Sequence, residues 1–282
     1  MKIVAAVDGS KYGRWAIEWI ARVPFAKSPE VTAVHVLDVV SLRAPFMVQP
    51  VVAGNVQLLR KEMQRLVRLS KRVMAESNSL FTALKIRGKV VTVKGAAAPS
   101  ILGSAPGPGG LIVMGSRGLS PIDRFMLGSV STRVTTHATC STLLVKQPPR
   151  PLRRLLFATD GSRPSANALR FLMRELAPAQ SGKDVEILVM HSIPFLGYPE
   201  LKEAAQAMVG DAAEKLATAG YQVTEVVQLG DPADQIMKIA GKHKVDLIVT
   251  GAKGMGAMAR FLLGSVSTKL VQHSTCSVLV VR

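Results

Sequence analysis

The chain has 282 residues, enough for two domains that each bury a core, and 48% of them are hydrophobic while only 5% are aromatic. Two cysteines exclude a disulfide framework, and Gly, Pro or charge interrupts every apolar run before the roughly 18 residues of a membrane span. The net charge of +17 is uneven: residues 1–150 hold 21 Lys and Arg against 7 Asp and Glu, and the remainder 15 against 12, so an electrostatic function would sit mainly in the first half.

The opening run MKIVAAVDGS is short and ends in a turn, so it reads as a strand rather than a signal peptide, and the protein is expected to be soluble and cytoplasmic. After Asp8-Gly-Ser comes a helical segment, AIEWIARV (16–23). A second strand, TAVHVLDVV (32–40), carries His35. An insertion rich in Pro, Val and Gly (43–55) leads to a helix predicted over Leu58–Ser77, then a third strand, VVTVKG (90–95). The segment GSAPGPGG (103–110) cannot be a regular helix and stands where one is expected before the fourth strand, LIVMG (111–115). A glycine-spaced block, a last helix and an apolar strand close the unit.

The same order then repeats. LLFATDGS (155–162) matches IVAAVDGS (3–10), with Asp8 and Asp160 152 positions apart, and the glycine blocks and the tails THATCSTLLV and QHSTCSVLVV keep an offset of 136. The repeat predicts domains 1–147 and 152–282 with a linker at 148–151, inside the proline-bearing stretch QPPRPLRR. Alternating strands and helices with short loops predict an α/β fold, each domain a doubly wound parallel sheet whose ligands bind at the strands' carboxyl ends. Both Asp-Gly-Ser turns and both glycine blocks fall at such ends.

The blocks are GSRGLSPIDRFMLGSVST (115–132) and GAKGMGAMARFLLGSVST (251–268). Gly115 and Gly118, like Gly251 and Gly254, are expected to give the loop conformations closed to other residues and to let it lie flat against a sugar and phosphate chain. Gly128-Ser129 and Gly264-Ser265 then open the last helix, where free N–H groups and the helix dipole favour an anion. Three or four charge-assisted bonds of roughly 1.5–3 kcal/mol each approach the ~8 kcal/mol of micromolar binding. A structural turn followed by a helix cap is the plainer reading of one such block, and its repetition after a strand in both copies favours binding.

In these residues the chain resembles the universal stress protein family, in its tandem form and its ATP-binding branch. The resemblance spans nearly the whole chain, and the family's nucleotide motif, G-x2-G-x9-G-[S/T], is matched by Gly115, Gly118, Gly128, Ser129 and by Gly251, Gly254, Gly264, Ser265. It implies a Rossmann-like fold of the adenine nucleotide alpha hydrolase type that binds ATP with Mg²⁺. It places Asp8 and Asp160 near the ribose and any phosphate-bound Mg²⁺, and the backbone near Val36 and Ile193 against the adenine. Val130 and Val266 lie in the same helix starts, Ser131 and Ser267 would extend the phosphate contacts, and Asp246 keeps the family pattern before the fourth strand of the second copy. It also implies that the terminal strands LLV and VLVV pair across a two-fold axis, making one chain a pseudo-dimer that can pair further into a homodimer.

Other residues have ordinary readings beside functional ones. His137 with Cys140, and His273 with Cys276, supply too few ligands for a structural zinc and read as packed cysteines. His35 and His191 read as hydrogen-bonded core histidines. Arg117 and Lys253, with Arg124 and Arg260, either pair with phosphates or are solvated. The helix over Leu58–Ser77 has one apolar face and a basic one of Arg60, Lys61, Arg65, Arg68, Lys71 and Arg72, an ordinary solvated face or a docking surface for nucleic acid or anionic lipid. A regulatory or protective ATP-binding factor is the leading expectation. The alternatives are a slow ATPase or phosphotransferase, for which no Walker-type Gly-Lys-Ser/Thr is present, and an interaction module that leaves its pockets unused.

Overall fold

The structure, a computed structural model, describes residues 1–40, 53–118 (backbone only for 53–56), 127–178, 185–193, 199–253 and 263–282. The core of the insertion after Val40, the arms carrying Arg124 and Arg260, and Gly254 lie outside the described residues.

The first half contains β1 (Lys2–Val7), α1 (Lys11–Ile20), β2 (Glu30–Leu37), α2 (Ala53–Ala83), β3 (Gly88–Lys94), α3 (Ala97–Gly103), β4 (Leu111–Gly115), α4 (Ser129–His137) and β5 (Ser141–Val145). The second contains β6 (Arg154–Ala158), α5 (Arg163–Glu175), β7 (Glu186–Ile193), α6 (Pro199–Thr218), β8 (Gln222–Leu229), α7 (Pro232–Lys242), β9 (Leu247–Gly251), α8 (Ser265–His273) and β10 (Ser277–Val281). The strands form one sheet in the order β3-β2-β1-β4-β5-β10-β9-β6-β7-β8, parallel throughout except between β5 and β10. Each half is thus wound in the order 3-2-1-4-5, and its switch point lies between its first and fourth strands.

Continuous aliphatic runs form the central strands because helices cover both faces: every residue of β4, β5, β9 and β10 is buried. On one face Ile3, Ala5, Val7, Leu155 and Phe157 join a core shared by both halves, closed by Trp19 of α1 and by Phe171 and Leu172 of α5. On the other face the core around Ile112 and Val134 of the first half takes in Ala252, Val271, Val278 and Val280 of the second, while a separate core around Leu156 and Ile236 lies within the second half. Burial rather than helix propensity therefore sets these elements.

The halves join where Leu144, Leu143 and Thr142 pair antiparallel with Val278, Leu279 and Val280, the strand contact the resemblance implied. That pairing removes the open sheet edge each half would otherwise present. A second seam has Ala26 N–H donating to Glu175 (2.8 Å) and Ala177 N–H to Pro24 (2.8 Å). Two expectations change. The predicted helix over Leu58–Ser77 extends to Ala53–Ala83, because Phe81 continues its apolar face into the core. The crossover before β4 does hold a helix, α3, which Ala98 and Ile101 anchor; the proline and glycine segment only shortens it to seven residues, against eleven in α7.

Candidate functional site

Each half has a cavity at its switch point, of about 380 Å³ in the first and about 480 Å³ in the second, within the range of small-molecule sites. The Asp-Gly-Ser turns form one wall. Gly9 and Gly161 hold φ of +82° and +73°, a left-handed conformation that favours glycine. Asp8 accepts the Ser10 N–H at 2.9 Å and Asp160 the Ser162 N–H at 3.0 Å, so both carboxylates are fixed at the cavity rim.

The glycine blocks form the opposite wall, but Gly115, Gly118, Gly128, Gly251 and Gly264 do not take positive φ, so conformational freedom is not why glycine stands there. Space is the reason at three of them. A Cβ on Gly115 would lie 2.5 Å from Tyr12 Cβ and 2.9 Å from the Tyr12 carbonyl carbon, and one on Gly251 would lie 2.7 Å from that of Pro164. These glycines let the starts of α1 and α5 press against the fourth strands. A Cβ on Gly118 would stand 2.7 Å from Asp8 Oδ2, so its absence keeps the carboxylate close to the loop. Gly115→Ala and Gly251→Ala are each expected to lower unfolding free energy by about 1–3 kcal/mol, checked by urea denaturation, because neither backbone neighbour can yield cheaply.

The decisive feature is how α4 and α8 begin. Three other helices are capped by side chains: Ser10 accepts from Gly13, Ser162 from Ser165 and Asp231 from Asp234. Gly128 and Gly264 offer no side-chain cap. Their own N–H groups are spent on the Ser116 carbonyl (2.9 Å) and the Ala252 carbonyl (2.8 Å). The amides of Ser129, Val130, Ser131 and of Ser265, Val266, Ser267 remain in the first turns, where no helical carbonyl can reach them, and these residues line the cavities. The Ser131 hydroxyl donates to the Gly115 and Ser116 carbonyls (3.1 and 3.0 Å) and that of Ser267 to the Ala252 carbonyl (2.9 Å). These hydroxyls pin the loop to the helix.

Arg117 and Lys253 also line their cavities, and Arg117 stands over the Tyr12 ring, 5.9 Å from its centroid. Val36 lines the first cavity. In the second, Ser192 takes that place, while Ile193 is buried and does not line the cavity. The register explains the shift: His35 Nδ1 meets the Val7 carbonyl at 2.9 Å and His191 Nδ1 the Thr159 carbonyl at 2.8 Å, so Val36 corresponds to Ser192. Both contacts make Nδ1 the donor and hold the rings between the first two strands. Sequence reasoning missed Leu66 and Leu69 of α2, which close the first cavity and have no counterpart from α6 among the described lining of the second. Their helical spacing was visible; what they faced was not.

His137 and His273 are exposed whereas Cys140 and Cys276 are buried, so the His-x2-Cys pairs do not converge. Burial raises both thiols, that of Cys276 to about 11. All six basic residues named on α2 are exposed. Among the described residues no three His, Cys, Asp or Glu side chains gather as a metal site. Asp8 and Asp38 line the first cavity and Asp160 the second, a sparse set of carboxylates that suits a Mg²⁺ arriving on phosphate oxygens and keeping its waters, rather than a resident ion. No described helix is long and apolar enough to cross a membrane.

Two doubly wound α/β units, each with a cavity at its switch point lined by the start of a helix that has no side-chain cap, define a tandem Rossmann-like protein. The sequence profile of the universal stress protein family matches residues 1–146 and 151–282, and the chain belongs to that family. It is 26% identical over 303 residues to a universal stress protein of Mycolicibacterium smegmatis, covering 99% of this chain and 96% of that one. Universal stress protein YxiE of Bacillus subtilis is 32% identical over 145 residues, covering 46% of this chain and 98% of its own. A universal stress protein structure from Archaeoglobus fulgidus has the same fold, with a TM-score of 0.70 at 19% identity, covering 100% of this chain and 98% of that one.

Proposed function

We propose that the chain binds ATP, with Mg²⁺ carried on the phosphates, in both cavities and acts as a regulatory or protective factor in a stress response. The observation that supports this most directly is the pair of helices whose first-turn amides have no cap and line the cavities. Amides so aimed, at the positive end of a helix dipole, suit the oxygens of a triphosphate tail. Asp8 and Asp160 would meet the ribose hydroxyls or the phosphate-bound Mg²⁺. Arg117 and Lys253 would neutralise charge, and the apolar walls near Val36 and Met190 would take the base. The bound Mg²⁺ would supply only charge neutralisation of the phosphates.

Mass spectrometry of the denatured protein is expected to release adenine nucleotide, and titration with ATP and Mg²⁺ to find a site in each half. Absence of nucleotide together with no titratable heat would sink the reading. Hydrolysis at either site would be slow, since no described group stands out as an activator of water. Following phosphate release from an Asp160→Asn variant separates catalysis from binding. The exposed basic face of α2 favours a second reading, docking of nucleic acid. Retention of the full chain on DNA at physiological salt, lost when Arg65 and Arg68 are both replaced by Glu, would support it, and no retention would end it.

A further inference from the structure

Lys146 follows β5 and Arg282 follows β10, 136 positions apart like the glycine blocks and the tails. Both leave their own half. Lys146 Nζ donates to the carbonyls of Ser274 (2.8 Å) and Leu270 (3.4 Å), the end of α8 in the second half. Arg282 donates from Nη2 to the carbonyls of Thr135 (2.8 Å) and Thr136 (3.1 Å), the end of α4 in the first half. The exchange is reciprocal in the backbone too: the Lys146 N–H meets Ser277 Oγ and the Arg282 N–H meets Ser141 Oγ, both at 3.3 Å. These helices have nine residues each, and their other ends are the amide clusters that line the cavities.

We infer that Lys146 and Arg282 are positioning residues, each supplied by one half to hold the phosphate-facing helix of the other, so that each nucleotide site is completed by the opposite half. This rests on the nucleotide reading above. The physical reason is twofold. A cation on the last-turn carbonyls opposes the negative end of the helix dipole and leaves the positive end more favourable to an anion. Donors on those carbonyls also fix the axis of a short helix whose first turn has no cap of its own, and so fix where its amides point. The antiparallel β5–β10 pairing places the residue after each strand at the partner helix, which a single half cannot do for itself.

The two cations differ in a useful way. Burial lowers the Lys146 ammonium to about 8, with the nearby Cys276 thiol opposing that shift and the Arg117 charge adding to it. Those two are the charged or titratable groups that act on it, and Cys276 itself stays protonated to about 11. A folded value below the ordinary one for lysine means that Lys146 loses its charge as pH rises through about 8. Burial also lowers the Arg282 guanidinium, but from the much higher ordinary value of arginine, so Lys146 is the first of the two to lose its charge.

The test measures ATP-Mg²⁺ affinity on the full chain, one site at a time. Gly128→Asp leaves the second site alone and Gly264→Asp leaves the first. With only the second site open, Lys146→Met is expected to weaken binding on the order of tenfold and Lys146→Arg to restore it. With only the first site open, Lys146→Met should have a much smaller effect, because Lys146 reaches that site only through its charge on Arg117, and Arg282→Met should weaken binding by a similar factor to Lys146→Met at the second site. Without altering either cation, affinity at the second site should fall between pH 7.5 and 9 while the first changes much less, which keeps the proposal testable if a Met variant fails to fold. Equal weakening of both sites, weakening of the near site alone, or a level pH profile at the second site would overturn it. If the unaltered chain binds no ATP at all, the nucleotide reading falls first and this inference with it.

Discussion

Gly128→Asp is expected to abolish nucleotide binding in the first half while leaving the fold as stable as before or slightly more so. The backbone at Gly128, φ −66° and ψ 147°, is already that of an N-cap, and a Cβ there would come no nearer than 3.4 Å to its neighbours. An Asp side chain in that position accepts hydrogen bonds from the second or third helical residue, here Val130 or Ser131. The new carboxylate would therefore occupy the anion site and repel a phosphate. Loss of two or three charge-assisted bonds weakens binding by at least about 100-fold. Calorimetric titration should show stoichiometry halved and thermal unfolding no earlier than in the unaltered chain, while Gly128→Ala should keep most of its binding. Gly264, at φ −69° and ψ 163°, should behave alike in the second half. A Gly128→Asp chain that still bound ATP at both sites with unaltered affinity would show that the first-turn amides are not the phosphate site.

Asp246→Ala should produce the largest loss of stability, about 3 kcal/mol. Only 6% of Asp246 is exposed, and its Oδ2 accepts the N–H groups of both Arg153 and Arg154 at 2.9 Å while Oδ1 pairs with the Arg150 guanidinium. One carboxylate thus holds the end of the linker and the entry to β6 against the start of β9. Two hydrogen bonds to a charged acceptor are worth roughly 1.5–3 kcal/mol each, and their removal leaves two N–H groups short of a partner, whereas half-exposed Arg150 returns to water cheaply. Asp246→Asn keeps an acceptor and should lose about half as much. Urea denaturation decides, and a change under about 0.5 kcal/mol for the Ala variant would mean that the linker is held by other contacts. The position 136 residues earlier is Gly110, so the first half does without this clamp.

Much of the site was legible because its determinants are local. The Asp-Gly-Ser turns and the helix starts at Gly128 and Gly264 are short segments whose conformation follows from their own residues, and the repeat marked them twice. The reason for Gly115 and Gly251 was not legible, because it lies in Tyr12 and Pro164, residues that approach only once α1 and α5 dock on the sheet. The exchange of Ile193 for Ser192 had the same origin. Strand alternation tells which residues share a face, but the pairing of His191 with Thr159 sets where β7 stands against β6.

By itself the sequence determined the alternation of strands and helices, the doubling of the unit and the places where an anion could be held, since periodicity, turn chemistry and helix capping act over a few residues. Only the tertiary structure decided that Leu66 and Leu69 close one cavity and not the other, and that Lys146 and Arg282 cross to the opposite half. Those contacts join residues far apart in the chain. They exist because burial of the sheet faces and the β5–β10 pairing outweigh the entropy of bringing distant segments together, a balance that no local pattern records.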